Sequence, residues 1–189
     1  MVRLTMPRPI PTYCGEVVAL RRICAERDAS DYFEFNLDPE MHRWTNNLPF
    51  ASIEEARLEL SRLRDLADVS TWMIVDNRSS KVIGRFFLCL ETREGRRIVG
   101  EGNRIARPYW RRGHNREARR FMFDYAFDGL GADAYETACW ANNVNSCRSI
   151  ESHGFVLVDE TEELFPKLQQ AMAMRHYRMT RDQWRPSAR

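Results

Sequence analysis

The stretch with the clearest chemical potential runs from Ile105 to Ala118 and reads IARPYWRRGHNREA. It places the end of an apolar strand, two consecutive arginines, a glycine and the start of an amphipathic segment in direct succession. A helix N-terminus presents free backbone N–H groups and a positive dipole end, and Gly113 would let a ligand approach the backbone closely. This order is typical of a phosphate site. The alternative is that Gly113 only turns the chain and that Arg116, Arg119 and Arg120 form a solvated helix face.

The overall composition limits the classes of function that this stretch can serve. A chain of 189 residues predicts a single domain, large enough to fold without a disulfide or a metal. Basic residues number 29 and acidic residues 27, and the net charge of +2 is too small to indicate by itself a nucleic acid or an anionic membrane as a partner. Only Lys81 and Lys167 are lysines. We ascribe most of the arginines to codon usage, and some to binding of planar anions such as phosphate.

The cysteines, the apolar runs and the N-terminus together predict a cytoplasmic protein. Five cysteines without C-x-x-C spacing indicate free thiols in a reducing compartment, and the histidines show no metal-ligand spacing. The longest apolar run, Phe86 to Leu90, is too short to cross a bilayer. Pro7, Pro9 and Pro11 stand where a signal peptide needs an apolar stretch.

Periodicity predicts the elements that must position the chemical residues. We expect an extended arm at 1–15, one domain at 16–184 and a tail at 185–189. Strands are predicted over 16–23, 72–76, 81–91, 98–106, 135–140, 155–158 and 171–179. Helices are predicted from Asp28 to before Pro39, after a capping box at Ser52 and Glu55, from Gly113 to about Phe127, and over 143–152. Gly100 and Gly102, inside the fourth strand, predict a bulge or a close approach by a neighbour.

Three segments, in their order along the chain and their spacing, resemble the GNAT superfamily of N-acetyltransferases. WRRGHNREA at 110–118 resembles its acyl-CoA pyrophosphate loop, NVNSCRSIESHGF at 143–155 resembles a later helix motif, and residues 72–84 resemble its central hairpin. DPE at 38–40 and MTRDQW at 179–184 are similar to the ribosomal-protein N-terminal acetyltransferase (RimJ/RimL-like) branch. The resemblance implies an α+β GNAT fold. Its mixed, mostly antiparallel central sheet would have about six to seven strands, flanked by about four helices and splayed between the fourth and fifth strands.

The resemblance also implies acetyl-CoA as the co-substrate, no metal, and a primary amine as the acceptor, either a protein N-terminal α-amine or a small molecule. Related enzymes are often dimers, so a homodimer stays open. The residues expected to contact the cofactor are Asn103, Ile105, Trp110, Arg111, Arg112, Gly113, His114, Asn115, Arg116, Asn143 and Ser146. Trp44 and Asn46 lie where this branch has its acceptor loop, although an aromatic residue in such a place is more often part of the core.

Glu101 and Ser146 are the expected catalytic residues. Strand alternation puts Glu101, Asn103 and Ile105 on one face, and Glu101 is the first candidate for the general base. The alternatives are an ion pair with a neighbouring arginine on the solvent face and deprotonation through water. Backbone N–H groups from Asn103 to Ile105 would stabilise the oxyanion. Ser146 would donate a hydrogen bond near the thiol, unless it and Asn143 only begin a helix.

Two departures from the family pattern affect this assignment. Asn115 replaces a small residue in the phosphate loop, and Ile150 stands where many members have a tyrosine general acid. The missing tyrosine keeps open a non-catalytic acyl-CoA-binding sensor or scaffold. A nucleic-acid binder that uses the arginine-rich helix is disfavoured, because Glu117 and Asp124 interrupt that helix and the net charge is low.

Overall fold

The computed structural model describes residues 2–7 and 9–184, so the predicted tail at 185–189 lies outside the described residues. The strands are β1 (Val2–Leu4), β2 (Tyr13–Cys14), β3 (Val18–Arg22), β4 (Val69–Asp76), β5 (Val82–Arg93), β6 (Arg96–Ile105), β7 (Ala134–Trp140), β8 (Val156–Phe165) and β9 (Gln170–Thr180). The helices are α1 (Ala25–Asn36), α2 (Ile53–Asp65), α3 (His114–Asp124), α4 (Val144–Glu151) and α5 (Arg181–Trp184). Short 3-10 turns cover Pro39–His42 and Arg107–Tyr109, and a π turn follows α3 at Tyr125–Gly129.

These strands form one mixed sheet in the order β2-β3-β4-β5-β6-β7-β9-β8, with β1 paired to β5. Every pair is antiparallel except β6 with β7, which is parallel. The predicted α+β class with a mostly antiparallel sheet is confirmed, although the sheet has more strands than expected. The additional strands are β1 and β2 in the predicted arm, and the buried residues Met6 and Ile10 lie between these two strands in the chain.

Strands β6 and β7 separate soon after they meet. They pair only where Ile98–Gly100 lies beside Ala134–Glu136, whereas β6 runs on to Ile105 and β7 to Trp140. Residues 101–105 of β6 and 137–140 of β7 do not pair with each other, and the opening between them is called the wedge. The predicted splay between the fourth and fifth strands is therefore confirmed. Backbone N–H and C=O groups at the edges of the wedge are available to a ligand.

The glycines of β6 are explained by a close approach and not by a bulge. Strands β5 and β6 pair without a register shift from Gly84 and Ile105 onwards. A Cβ atom at Gly102 would lie 2.3 Å from Cε1 of Phe87, and one at Gly100 would lie 2.9 Å from Sγ of Cys89. Side chains of β5 thus fold across β6 where the glycines leave room.

At the starts of α1 and α2, side chains near the first turn stabilise the helix. Helix α1 begins at Ala25, three residues before the predicted start, and the Asp28 carboxylate accepts the Cys24 N–H over 2.8 Å and pairs with Arg21. Asp28 therefore stabilises the first turn from inside the helix. Helix α2 begins as predicted, because Ser52 Oγ accepts the Glu55 N–H over 3.2 Å.

The helices cover both faces of the sheet. Helix α3 packs on one face over residues such as Phe86 and Leu88, while α1 and α2 pack on the other over Met73 and Val82. None of the helices within residues 2–7 and 9–184 combines the length and the apolar character needed to cross a bilayer.

Candidate active site

The N-terminus of α3 follows β6 after the short 3-10 turn at Arg107–Tyr109 and lies at the mouth of the wedge. Gly113 is the N-cap and adopts a left-handed conformation with φ of +87°, and no atom lies within 4 Å of the place where its Cβ would be. The first bond of this helix runs from the Glu117 N–H to the Gly113 carbonyl, so the preceding N–H groups have no partner within the helix. The glycine is required here because a side chain would be strained and would fill the approach to these donors.

Three exposed arginines surround this helix start: Arg111, Arg112 and Arg116, which we call the basic cluster. In the part of the chain that the structure describes, none of them has a carboxylate within 4.0 Å. The exposed arginines Arg57 and Arg62 of α2, by contrast, each bind a glutamate three residues earlier. Unpaired guanidiniums beside a helix N-terminus provide a strong site for a phosphorylated ligand.

Three other residues of the predicted loop fasten it to its surroundings. The Trp110 indole N–H donates to the Ile105 carbonyl at the end of β6. His114 is buried, and its Nε2 lies 2.9 Å from Oδ1 of Asp76 at the end of β4. The Asn115 amide donates to Ser149 Oγ of α4 over 3.1 Å. These side chains hold the loop in place, and whether they also contact a cofactor stays a prediction.

The backbone of β6 presents donors to the wedge. The Ala106 N–H bonds to the Ile83 carbonyl on the β5 side. Because N–H directions alternate along a strand, the N–H groups of Asn103 and Ile105 point to the opposite edge, which β7 leaves unpaired. The two residues expected to supply oxyanion donors therefore face the wedge with their backbones.

Glu101 has no free carboxylate to act as a base. Its side chain is fully buried beneath α3, where Arg119 binds both carboxylate oxygens and the Tyr135 hydroxyl donates to Oε2 over 2.7 Å. Burial first, and then the Glu101 carboxylate, raise the pKa of Tyr135 well above its usual range, so the hydroxyl stays a donor. Glu101 therefore forms an ion pair with an arginine, although beneath α3 and not on the solvent face, and its role as the base stays a prediction. This ion pair also turns Arg119 away from the basic cluster.

Asn143 and Ser146 begin α4 at the other side of the wedge. Oδ1 of Asn143 accepts the Ser146 N–H over 3.2 Å, which is an N-cap. Ser146 lies next to Cys139 of β7, and Arg111 reaches Asn145 across the mouth over 3.5 Å. The cap and the site readings are compatible, because the capped end of α4 borders the same opening as α3.

A cleft of about 500 Å³ lies on the sheet face opposite α3 and reaches the wedge. Its lining includes Phe87, Cys89, Gly100, Glu136, Ala138, Asp159, Glu163, His176 and Arg178. The Glu136 carboxylate is held by Arg93 over 2.9 Å and by Arg178 over 2.6 Å, so it is fully engaged. The His176 side chain has fewer polar contacts than Glu136. Its Nε2 lies 2.8 Å from Thr161 Oγ1 and 3.4 Å from Glu163 Oε1.

Sequence reasoning tested His176 only for metal ligation and missed this arrangement. The pairing of β8 with β9 brings His176 beside Thr161 and Glu163, which precede it by 15 and 13 residues. Tyr177 points into the core, and successive side chains of a strand point to opposite faces, so His176 must face the other side of the sheet. This alternation is the one local signal that could have placed His176 in the cleft. The described residues contain no group of three or more His, Cys, Asp or Glu side chains that could hold a metal.

The predicted acceptor residues Trp44 and Asn46 lie in the loop before α2. The Trp44 ring packs under the Arg43 guanidinium at 5.1 Å, and Asn46 is exposed. Neither is among the described residues that line the cleft. The same loop is tied to the turn between β8 and β9, because Lys167 Nζ donates to the His42 carbonyl over 2.9 Å. Their contact with an acceptor stays a prediction.

Comparison with known proteins identifies the family. A family model described as an acetyltransferase (GNAT) domain matches residues 18–156. The chain belongs to the GNAT acetyltransferase family. The uncharacterized N-acetyltransferase p20 of Bacillus licheniformis is 26% identical over 148 residues, which are 76% of this chain and 82% of that protein.

Solved structures of GNAT proteins share the fold at low sequence identity. A GCN5-related N-acetyltransferase from Brucella melitensis superposes with a TM-score of 0.81 at 22% identity, covering 97% of this chain and 83% of that one. Ribosomal-protein-S5-alanine acetyltransferase from Vibrio fischeri superposes with a TM-score of 0.75 at 20% identity, covering 94% and 100%. The architecture described above is therefore the GNAT fold.

Ile150, where the family resemblance led us to look for a tyrosine general acid, is 2% exposed and packs in the core between α4 and the sheet. The nearby Tyr177 hydroxyl donates to Glu151 over 3.0 Å and is buried too. Neither side chain is free to protonate a leaving thiolate.

Proposed function

We propose that this GNAT protein is an acetyl-CoA-dependent N-acetyltransferase that acts on a primary amine. The observation that carries the proposal is the wedge between β6 and β7, which opens onto the N-terminus of α3 and its basic cluster. A long thioester with a polyanionic end fits such a site, with phosphates at the helix N-terminus and the acyl group in the wedge. The segments at 38–40 and 179–184 support the RimJ/RimL-like branch, with either a protein N-terminal α-amine or a small-molecule amine as acceptor.

The reaction forms a C–N bond and breaks a C–S bond. The amine must lose a proton, the tetrahedral oxyanion must be stabilised, and the thiolate must gain a proton. Backbone N–H groups of Asn103 and Ile105 supply the oxyanion donors. Because β5 holds β6 in register, these donors need little reorganisation during the reaction. Ser146 keeps its proposed role as a donor near the thiol.

His176 takes the role of proton acceptor in this proposal. Its Nε2 is engaged by Thr161 and Glu163, which leaves Nδ1 to receive a proton from the ammonium group. Glu163 would orient the ring and stabilise the imidazolium that forms. In the pairing of β7 with β9, His176 lies opposite Ala138. Ala138 belongs to the part of β7 that does not pair with β6, so His176 lies close to the wedge.

Direct attack is favoured over transfer through a cysteine. Cys139 and Cys147 border the wedge, but both are buried, and their sulfur atoms lie 3.4 Å apart. Burial first, and then the hydrogen bond with Cys147, raise the pKa of the Cys139 thiol, so the thiolate nucleophile is not formed at neutral pH. We therefore expect no acetyl-enzyme in the intact mass spectrum after incubation with acetyl-CoA alone.

Thermal unfolding with and without acetyl-CoA, followed by thiol release against a panel of amines and short peptides, tests the proposal. At a hundredfold excess over Kd the ligand should stabilise the protein by about 2.7 kcal/mol. Stabilisation together with amine-dependent thiol release is the expected result. Stabilisation without thiol release on any amine would indicate an acyl-CoA sensor, which the buried Ile150 favours. The absence of any stabilisation would contradict both functions.

A further inference from the structure

Two arginines face each other on the sheet next to the wedge. Arg85 of β5 and Arg104 of β6 are direct cross-strand partners, and their side chains lie on the same face. Directly opposed residues have Cβ atoms about 5 Å apart, and like charges in such a pair destabilise the sheet. A fold that keeps this pair needs a compensating negative charge or a function for it.

The residues that the structure describes supply no such charge next to the pair. Within residues 2–7 and 9–184, no carboxylate oxygen lies within 4.0 Å of either guanidinium, and Arg104 instead donates to the neutral Oδ1 of Asn36. The Nε atoms of both arginines are buried without a hydrogen-bond partner. Burial first, with Arg85 adding to it, lowers the pKa of Arg104 to about 10. In the same cross-strand row, Arg21 does receive a carboxylate, Asp28 of α1.

The arginine pair lies on the sheet face that carries the cleft, directly beyond the cleft lining along β5 and β6. On this face, Arg85, Phe87 and Cys89 of β5 lie opposite Arg104, Gly102 and Gly100 of β6, and Phe87, Cys89 and Gly100 line the cleft. The Arg85 guanidinium lies 5.8 Å from the centroid of the Phe87 ring. Arg104 stands between Asn103 and Ile105, whose N–H groups face the wedge. An anion held by the pair would therefore lie one side chain away from the proposed reaction centre.

We propose that Arg85 and Arg104 form a carboxylate-binding subsite, so that the acceptor is a primary amine that also carries a carboxylate, such as an amino acid. This inference rests on the proposed function and names its substrate class. Guanidinium groups bind carboxylates through paired N–H donors, and the orphaned Nε groups supply one edge of each fork. Arg104 also lies 5.9 Å from the centroid of the Phe35 ring, which packs beside its guanidinium.

Acceptors that differ only in the carboxylate test the subsite. Thiol release from acetyl-CoA by the full chain is compared for glycine, β-alanine and 4-aminobutyrate against the corresponding carboxamides, with rates referred to the free-base amine. We expect kcat/KM for the best-fitting acid to exceed that for its amide by roughly ten- to a hundredfold. Arg104→Gln and Arg85→Gln should each bring the ratio near one, mainly by raising KM for the acid.

A matched control and a conservative variant protect this test. Arg97→Gln changes an exposed arginine at the other end of β6 and should keep the preference for acids. If a glutamine variant does not fold, Arg104→Lys keeps a cation but loses the planar fork, and it should still reduce the preference.

The carboxylate could instead come from the acyl group, and a second arm separates the two sources. Succinyl-CoA is compared with acetyl-CoA using carboxamide acceptors. Faster transfer from succinyl-CoA by the wild type, lost in Arg104→Gln, places the bound carboxylate on the acyl chain and supports the subsite.

A third arm needs no turnover. N-acetyl-β-alanine and N-acetyl-4-aminobutyrate should raise the thermal midpoint of the wild type but not of Arg104→Gln. If this stabilisation is seen while no amine releases thiol, the proposed function fails and the subsite stands. Three results together would overturn the subsite. The kcat/KM values would be equal for acids and amides and for the two acyl-CoA esters, and no ligand would raise the thermal midpoint in a way that depends on Arg104.

Discussion

At the scale of single residues, the neighbours of a carboxylate decide its role. Glu101 and Glu163 both lie on strands of the proposed site. Glu101 is buried between Arg119 and Tyr135, whereas Glu163 is half-exposed beside His176. The first arrangement keeps a negative charge in place, and the second puts a carboxylate next to an imidazole that lines the cleft.

Exchanging Glu101 for Gln should impair stability more than catalysis. The change leaves the buried Arg119 without a counter-charge, and breaking a buried pair from one side costs roughly 3 to 5 kcal/mol. Urea unfolding should show this loss, while kcat well below the thermal midpoint stays near that of the wild type. The double variant Glu101→Leu with Arg119→Met should regain most of the stability. A stable Glu101→Gln enzyme with kcat reduced by roughly a hundredfold would restore Glu101 as the base.

His176→Gln should lower kcat by roughly a hundredfold with little change in KM for acetyl-CoA, because the cleft lies apart from the basic cluster. The control is His153→Gln, since His153 packs against Phe123 away from the cleft. Initial rates over a range of pH measure both variants, and the wild-type dependence on a basic group should disappear in His176→Gln. An unchanged rate would assign the proton to water or another side chain.

At the scale of elements, α3 is held by contacts that also fix its N-terminus. The Glu117 carboxylate accepts the N–H groups of Glu16, Val17 and Val18 over 2.7 to 2.8 Å. The acidic residue that interrupts the arginine-rich pattern is thus the clamp between α3 and the start of β3. The basic cluster can stay unpaired because α3 is anchored by other groups.

Gly113→Val should weaken acetyl-CoA binding by about tenfold or more, because a branched side chain would cover the N–H donors at the start of α3. The matched control is Gly95→Val in the turn between β5 and β6, where φ is +77° and the surrounding space is also open. Both variants place valine in a left-handed conformation at a cost of about 1 to 3 kcal/mol. Calorimetric titration should find normal affinity in Gly95→Val. Equal affinity in both variants would mean that the phosphates bind elsewhere.

At the scale of the whole molecule, the near-neutral charge hides an uneven distribution. The net charge is +2, yet three unpaired arginines gather at the start of α3 and two more oppose each other across β5 and β6. Many of the remaining arginines pair with carboxylates, as Arg57 and Arg62 do. Local positive sites of this kind suit small anionic ligands better than a nucleic-acid backbone.

Asp76 should make the stability of the whole fold depend on pH in acid. Burial would raise the pKa of Asp76, but hydrogen bonds from Ser79 and His114 outweigh it and lower the pKa below its usual value. This stabilisation is present above the unfolded pKa of about 3.9 and is lost as the pH falls through the lower folded value. The thermal midpoint of Asp76→Asn should be below that of the wild type at neutral pH, and the difference should narrow below about pH 4. A constant difference would show that the charge of Asp76 does not matter.

The sequence by itself determined most of the elements, their order and the loop before α3, but not strands β1 and β2. Capping at Ser52 and Asn143, the glycine at 113 and strand alternation all depend on near neighbours in the chain, so they can be read without a structure. Only the tertiary structure decided which side chains meet. Strand register and sheet order join Glu101 to Arg119, His176 to Glu163 and Arg85 to Arg104. These contacts depend on how distant segments of the chain pack, and the local sequence pattern does not predict that packing.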